Sequence, residues 1–292
     1  MDKFVLHFFK EKKRDFDYER LLSFFEDVAE MSVPDNMDQS NEFRIEYRHP
    51  VLKSKADFII SRKTAVKEIY KLDPQYLDVN FRLEVPLLMS NFSANMIFQI
   101  VKDLSKEFNF YCYNELFEDV LPFRLEVIMR VYEISKQHFK DKFGYLLEGY
   151  YYYPEQKLND CLKYINEQYD LHRYYKEQNV IVPNYHVEVD DTDKVHFTME
   201  WKENTRVVFP PHIDYIYYRY GLDTKILPFD EVMAKIAKFT ENVPGFIENT
   251  KVIEAKKGKK IDKLLKKTKF TTIKSTLMRI DLERVVDIPR GH

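Results

Sequence analysis

Apolar positions along this chain recur with two periods, and the switches between them predict the elements. Phe4–Phe9 is a near-continuous run of aromatic and aliphatic residues closed by KEKKRD, which predicts a strand. From Asp17 the period lengthens. Tyr18, Leu21, Leu22, Phe25 and Val28 recur at three- and four-residue steps, and Asp15 or Asp17 stands where a helix cap belongs. Met31–Asn41 reads as a connecting loop. FRIEYRH (Phe43–His49), ADFIISR (Ala56–Arg62) and DVNFRLEVPL (Asp78–Leu87) alternate as strands do. SNFSAN reads as a loop. Met96, Ile97, Ile100, Val101, Leu104 and Phe108 then share one side of a helix, followed by a short strand in FNFYCY.

FRIEY at Phe43 and FRLEV at Phe81 and Phe123 look like a repeat. The third copy continues with helical spacing (Val127, Ile128, Val131, Ile134) while the first two alternate, so the likeness is coincidental. Leu121–Gln178 predicts two helices around GYLLEGYYYYPEQ, the second with Leu158, Leu162, Ile165, Tyr169 and His172 on one side. Tyr185–Phe209 predicts a strand meander whose register follows from burial. With Val189 opposite Val195, residues Tyr185, Val187, Val189, Val195, Phe197, Met199 and Trp201 share one face, and a slip of one residue scatters them. PPHIDYIYYRYG predicts an extended turn into another strand, and Phe229–Phe239 a helix entered through Pro228 and Asp230. A basic helix and one or two short elements complete the chain. The expected class is α+β, with mainly antiparallel sheets, a helical middle and a C-terminal β-meander. It divides into 1–118 and 119–292, with the boundary anywhere between Asn114 and Glu155, although no Pro/Gly/Ser-rich linker separates them and a single domain fits as well.

Composition adds that the chain holds only 6 Gly beside 23 Phe and 21 Tyr, so few left-handed turns are expected. No stretch is apolar enough to cross a membrane, and Phe4–Phe9 is too short for a secretory core. A cytoplasmic location is expected, with Cys112 and Cys161 as reduced, buried thiols. The net charge of −2 conceals a dipole: 251–292 holds ten Lys and three Arg against five carboxylates, a net of +8, which leaves −10 for the remainder.

The motifs of several chemistries are missing. Gly144 and Gly149 are spaced as in a phosphate-binding loop, but Tyr150 and Tyr151 stand where Lys and Ser/Thr belong. There is no GxGxxG, GxSxG or HExxH, and no cofactor is expected. Four sets of residues remain. His186, Glu188 and His196 fall on the polar face of the hairpin, with Glu188 opposite His196. They are either a divalent-metal cluster or ordinary cross-strand polar pairs on a solvated strand face. Asp190, Asp191 and Asp193 are calcium-like in charge but lack the glycine and bidentate glutamate of that loop, and a turn is expected. Tyr150–Tyr153 are flanked by Glu148 and Glu155, which suits an aromatic cluster better than a platform for single strands. The same aromatic set takes in the PPHIDYIYYRY run beyond, where His212 and Asp214 are two apart, a spacing without specificity.

The fourth set is KKGKKIDKLLKKTKF. Ile261, Leu264 and Leu265 fall on one side of a short helix. Around them stand Lys256, Lys257, Lys259, Lys260, Lys263, Lys266, Lys267 and Lys269. Lysine without arginine suits unspecific phosphate contact rather than the reading of base edges. The helix docks on the body, meets nucleic acid, or meets a protein or membrane surface. The leading expectation is a non-catalytic interaction module with a protein partner or self-association. A nucleic-acid-associated protein using the lysine block is the alternative, and an enzyme whose site is assembled from distant residues is the third.

Overall fold

A computed structural model describes residues 3–34, 42–243, 245 and 247–289; most of the Met31–Asn41 loop therefore lies outside the described residues. The chain is α+β. It divides into two compact units after Glu148, the second running from Gly149 to Pro289.

Unit 1 is built on one antiparallel sheet. Its strands are β1 (Lys3–Glu11), β2 (Met31–Ser32), β3 (Phe43–Arg48), β4 (Lys55–Ile60), β5 (Tyr76–Pro86), β6 (Tyr111–Tyr113) and β7 (Leu121–Pro122), in the order 2-3-4-5-1-6-7. β1 thus lies at the interior of the sheet, with Phe8 opposite both Phe81 and Cys112. Alternation along β1 sends Phe4, Leu6 and Phe8 to the core and Lys3, Val5 and His7 to the other face. Helices α1 (Tyr18–Glu26), α2 (Asn91–Phe108) and α3 (Leu125–Phe143) cover the core face. The Asp17 carboxylate caps α1, accepting from the Glu19 amide at 2.9 Å. Helix α2 begins earlier than its apolar spacing predicts. The Ser90 hydroxyl accepts from the Ser93 amide, so SNFSAN is a capped first turn and not a loop.

The expected division at 118/119 falls inside unit 1, because Ile128, Tyr132, Phe139 and Leu147 pack into the same core as Phe4 and Phe98. Helix spacing revealed α3 as an element but could not say which core it joins. On the opposite sheet face, cross-strand charges interlock: Lys3–Glu84 at 2.8 Å, Arg82–Glu84 at 2.9 Å, Arg82–Glu42 at 2.8 Å and Arg44–Asp57 at 2.9 Å.

Unit 2 begins with β8 (Tyr151–Tyr152), α4 (Glu155–Tyr175) and β9 (Val180–Ile181). Then come β10 (His186–Val189), β11 (Val195–Lys202), β12 (Arg206–Phe209), β13 (Ile213–Tyr220) and β14 (Asp223–Pro228). The unit closes with α5 (Phe229–Ile236), β15 (Thr240–Asn242), β16 (Lys251–Ile253), α6 (Gly258–Lys267), β17 (Met278–Arg279) and β18 (Val285–Val286). The β10–β11 hairpin has the register derived from burial, Val189 opposite Val195 and Glu188 opposite His196. Beyond it the structure departs from a plain meander. β12 leaves for a second sheet, ordered 15-16-12-9, and β13 returns parallel to β11. The break has local causes: Asn204 and His212 adopt left-handed backbone, and Pro210 and Pro211 withhold two amides. Helix α4 is rotated from its expected face. Leu158, Cys161, Leu162, Tyr164, Leu171 and Tyr175 are buried while Tyr169 is 72% exposed, because the Tyr164 hydroxyl is drawn inward to the Pro183 carbonyl at 2.8 Å.

Scarce glycine does not bring scarce left-handed turns. Ten described non-glycine residues have positive φ, and five of them are asparagine (Asn80, Asn109, Asn179, Asn204 and Asn249). Asparagine tolerates this region because its short amide bonds locally, so it replaces glycine as the turn former here.

Candidate nucleic-acid interface

Helix α6 presents the lysine block. Ile261 and Leu265 are buried and Leu264 half-buried, packed with Trp201, Tyr218 and Phe239 in the core of unit 2. The single acid of GKKIDKLLKK points the same way. Asp262 is buried, and its carboxylate accepts from the Tyr218 hydroxyl at 2.7 Å and the Asn204 amide at 2.9 Å. Burial, then Asp262, raises the Tyr218 pKa well above that of a free phenol. With Ile261, Asp262 and Leu265 inward, the rotation of 100° per residue places Lys259, Lys260, Lys263, Lys266 and Lys267 on one arc of about 120°.

Most of that arc carries unneutralised charge. Lys266 pairs with Glu203 at 2.8 Å and Lys257 approaches Glu254 at 3.8 Å. Lys256, Lys259, Lys260, Lys263, Lys267 and Lys269 are exposed, with no carboxylate within 4 Å among the described residues. Two aromatic rings extend the surface. Lys260 and Lys238 both lie over the Phe239 ring, at 5.1 and 5.3 Å from its centroid. Lys266 and Lys225 lie over the Tyr220 ring at 5.9 and 5.0 Å. Sequence reading missed Lys225, Lys238, Tyr220 and Phe239. Their only signal is that each aromatic stands near a lysine, a pairing that becomes a shared ring only after folding. The same reading missed Asp262 as well, although this residue stands as the lone acid in a lysine run.

The other singled-out residues do not converge. The Tyr217 hydroxyl donates to the Glu188 carboxylate, 3.0 Å from both oxygens. His186 stands 3.8 Å from Glu200, and His196 lies between Asp190 at 3.1 Å and Asp214 at 3.6 Å. Among the described residues no group of three His, Cys, Asp or Glu is placed to hold a metal ion. Both Glu188 and His196 are buried, so this is an inward polar layer and not a solvated strand face. Asp190 also organises its own turn, accepting from the Thr192 and Lys194 amides. His212 and Asp214 part company: His212 meets Asp160 at 2.7 Å, and Asp214 accepts from the Phe197 amide. Of the tyrosine run, Tyr153 is buried against the Phe197 ring at 4.9 Å, and Tyr151 and Tyr152 pair with β18.

The His196 layer gives a pH prediction. Burial lowers its pKa, but the nearby Asp214 carboxylate and the hydrogen bond with Asp190 outweigh burial and raise it. The Asp190 pKa is depressed, first by the Thr192 hydroxyl and further by His196. A raised histidine pKa stabilises fully below the unfolded value and loses that contribution as pH rises through the folded one. A depressed aspartate pKa stabilises above the unfolded value and is lost on acidification. The denaturation midpoint of unit 2 is therefore expected to fall between about pH 6 and pH 9. His196→Gln should flatten that slope in urea titrations followed by Trp201 fluorescence. An equal slope in the variant would remove His196 as its source.

Comparison with protein-family models, with curated proteins and with solved structures found no match. Among the described residues no helix is long and apolar enough to cross a membrane.

Proposed function

We propose that this chain is a nucleic-acid-associated binding protein that lays the lysine face of α6 along the phosphate backbone without reading sequence. The observation that carries the reading is the anchored geometry of α6. Ile261, Leu265 and Asp262 fix its inner side, so four exposed lysines lacking carboxylate partners among the described residues, Lys259, Lys260, Lys263 and Lys267, are held together on the outer side, with Lys256 and Lys269 just beyond its ends. The absence of arginine from α6 fits backbone contact, since ammonium groups act as point charges and lack the planar fork that pairs with guanine. The rings of Phe239 and Tyr220 hold further ammonium groups beside the helix.

The test is fluorescence anisotropy of the full chain with labelled single- and double-stranded oligonucleotides over a salt series. Binding is expected to weaken steeply with salt. Lys259→Gln/Lys263→Gln/Lys267→Gln changes only exposed side chains, and its logarithmic salt slope on duplex should be shallower by about 2.7, with affinity about 10- to 100-fold lower near 0.1 M salt. An unchanged slope in the triple variant would sink the proposal. So would the absence of binding to every oligonucleotide at low salt while polyglutamate binds, which would point to an acidic protein partner.

A further inference from the structure

Unit 1 holds a cleft of about 460 Å³ that no motif announced. Its floor is the outward face of β1, where Lys3, Val5 and His7 follow one another at every second residue over about 13 Å. One wall is a single face of α3. Ser135, His138, Phe139, Lys142 and Phe143 stand there at three-, four- and seven-residue steps. The opposite rim is Ala65 and Lys67 with Asn114–Leu116. Asn114 closes that end by donating its amide to the Val5 carbonyl at 2.7 Å, just past the point where β1–β6 pairing stops.

The lining groups differ in what they have left to offer. Arg82 is spent on Glu42, Glu84 and Ser61. Lys3 is held by Glu84 and Asp57, and Lys67 by Glu115 at 3.1 Å. Three groups remain uncommitted. His138 is exposed on α3, with no side-chain hydrogen bond or ion pair among the described residues. Lys142 is exposed at the mouth, its ammonium 5.3 Å from the Phe143 ring centroid, with no carboxylate within 4 Å among the described residues. His7 is only 7% exposed, and neither ring nitrogen has a hydrogen-bond partner among the described residues. Burial, with Arg82 second, lowers its pKa to about 4, so at neutral pH it is an uncharged imidazole with one donor and one acceptor to fill. An unfilled polar group at the floor of a cleft this size is a common mark of a ligand site. The apolar part of the lining comes from Val5, Leu87, Leu116, Phe139 and Phe143.

We propose that this cleft binds a small organic anion with an apolar body, its carboxylate or phosphate head on Lys142 and His138 and its far end within hydrogen-bond reach of His7. Lys3, Lys67 and Arg82 are each paired with carboxylates, so Lys142 is the lining charge left unneutralised among the described residues, which favours an anionic head there. The site is separate from the lysine face of α6, and its test does not depend on nucleic-acid binding.

The probes are 4-phenylbutyrate, 2-phenylethyl phosphate and the neutral 4-phenylbutan-1-ol, titrated into the full chain by calorimetry and by imidazole ¹⁵N correlation spectra. At least one anion should bind with Kd of about 1 mM or tighter and move the His7 ring signals. The better anion identifies the head group. The alcohol should bind at least about 10-fold more weakly, a free-energy difference of about 1.4 kcal/mol. Lys142→Ala and Ala65→Trp alter exposed positions at the mouth, the first removing the ammonium and the second obstructing entry. Each is expected to weaken the anion about 10-fold or more. The proposal is overturned if neither anion moves His7, if the alcohol binds as well as the anions, or if both variants bind unchanged.

Discussion

Phe81→Ala is expected to destabilise unit 1 by about 4 kcal/mol, the largest single-site loss argued for this chain. Phe81 is 1% exposed on β5 and lies in a nest of rings. Phe8 stacks on it at 4.7 Å, Phe25 and Phe58 lie at 6.0 Å, and Phe110 at 6.3 Å. Removing the ring forfeits its transfer from water and leaves a void walled by side chains from two neighbouring strands and two other segments, which cannot all close inward together. Phe81→Leu keeps much of the volume and should cost roughly half as much. Urea titrations followed by far-ultraviolet circular dichroism give the measurement. A loss below about 2 kcal/mol for the alanine variant would mean that the nest relaxes far more freely than its packing implies.

Asp262→Ala is expected to cost unit 2 about 3 kcal/mol, since two hydrogen bonds to a charged acceptor vanish and the buried Tyr218 hydroxyl is left without its partner. Trp201 is the one tryptophan of the chain, and its ring lies 5.1 Å from that of Tyr218, so its fluorescence reports this site directly. Tyr218→Phe removes only one of the two bonds. Combined with Asp262→Ala it should cost less than the sum of the single changes, because both break the same contact. The Asp262 variant should also bind oligonucleotides more weakly although no surface lysine has changed, as a loosened α6 no longer holds its charges in register. Unaltered Trp201 emission and a stability loss under about 0.5 kcal/mol would show that the apolar contacts alone seat the helix.

Local patterns were legible where a segment carries its own instruction. The β10–β11 register followed from seven alternating apolar side chains, and α1 from Asp17 and the spacing of Leu21 and Phe25. The inward side of α6 was legible from Ile261 and Leu265. What stayed hidden depends on partners distant in sequence. Nothing near Val195 says that β13 returns parallel to it. Nothing near Tyr169 says that the Pro183 carbonyl turns α4 by binding Tyr164. Glu188 looked like a solvated residue until Tyr217, 29 positions away, supplied its hydroxyl. The cleft is the extreme case, because His7 and Lys142 meet only through the packing of α3 over β1. The lysine surface lies between these extremes. Its helix was visible, while the rings that gather Lys225 and Lys238 beside it were not.

The place of β1 within its sheet also sets a timetable. β1 leaves the ribosome before both strands that flank it, so Phe4, Leu6 and Phe8 stay without their neighbours until β5 and β6 have been made. Phe8 awaits Cys112 through about 100 residues of further synthesis, or roughly 5–20 s at ordinary translation rates. Over that interval a strand rich in phenylalanine with both edges open is a substrate for holdase chaperones and for mispairing between nascent chains on one message. The charges that close it, Lys10, Lys12, Lys13 and Arg14, then serve as gatekeepers during biogenesis, well before any folded surface exists for them to decorate.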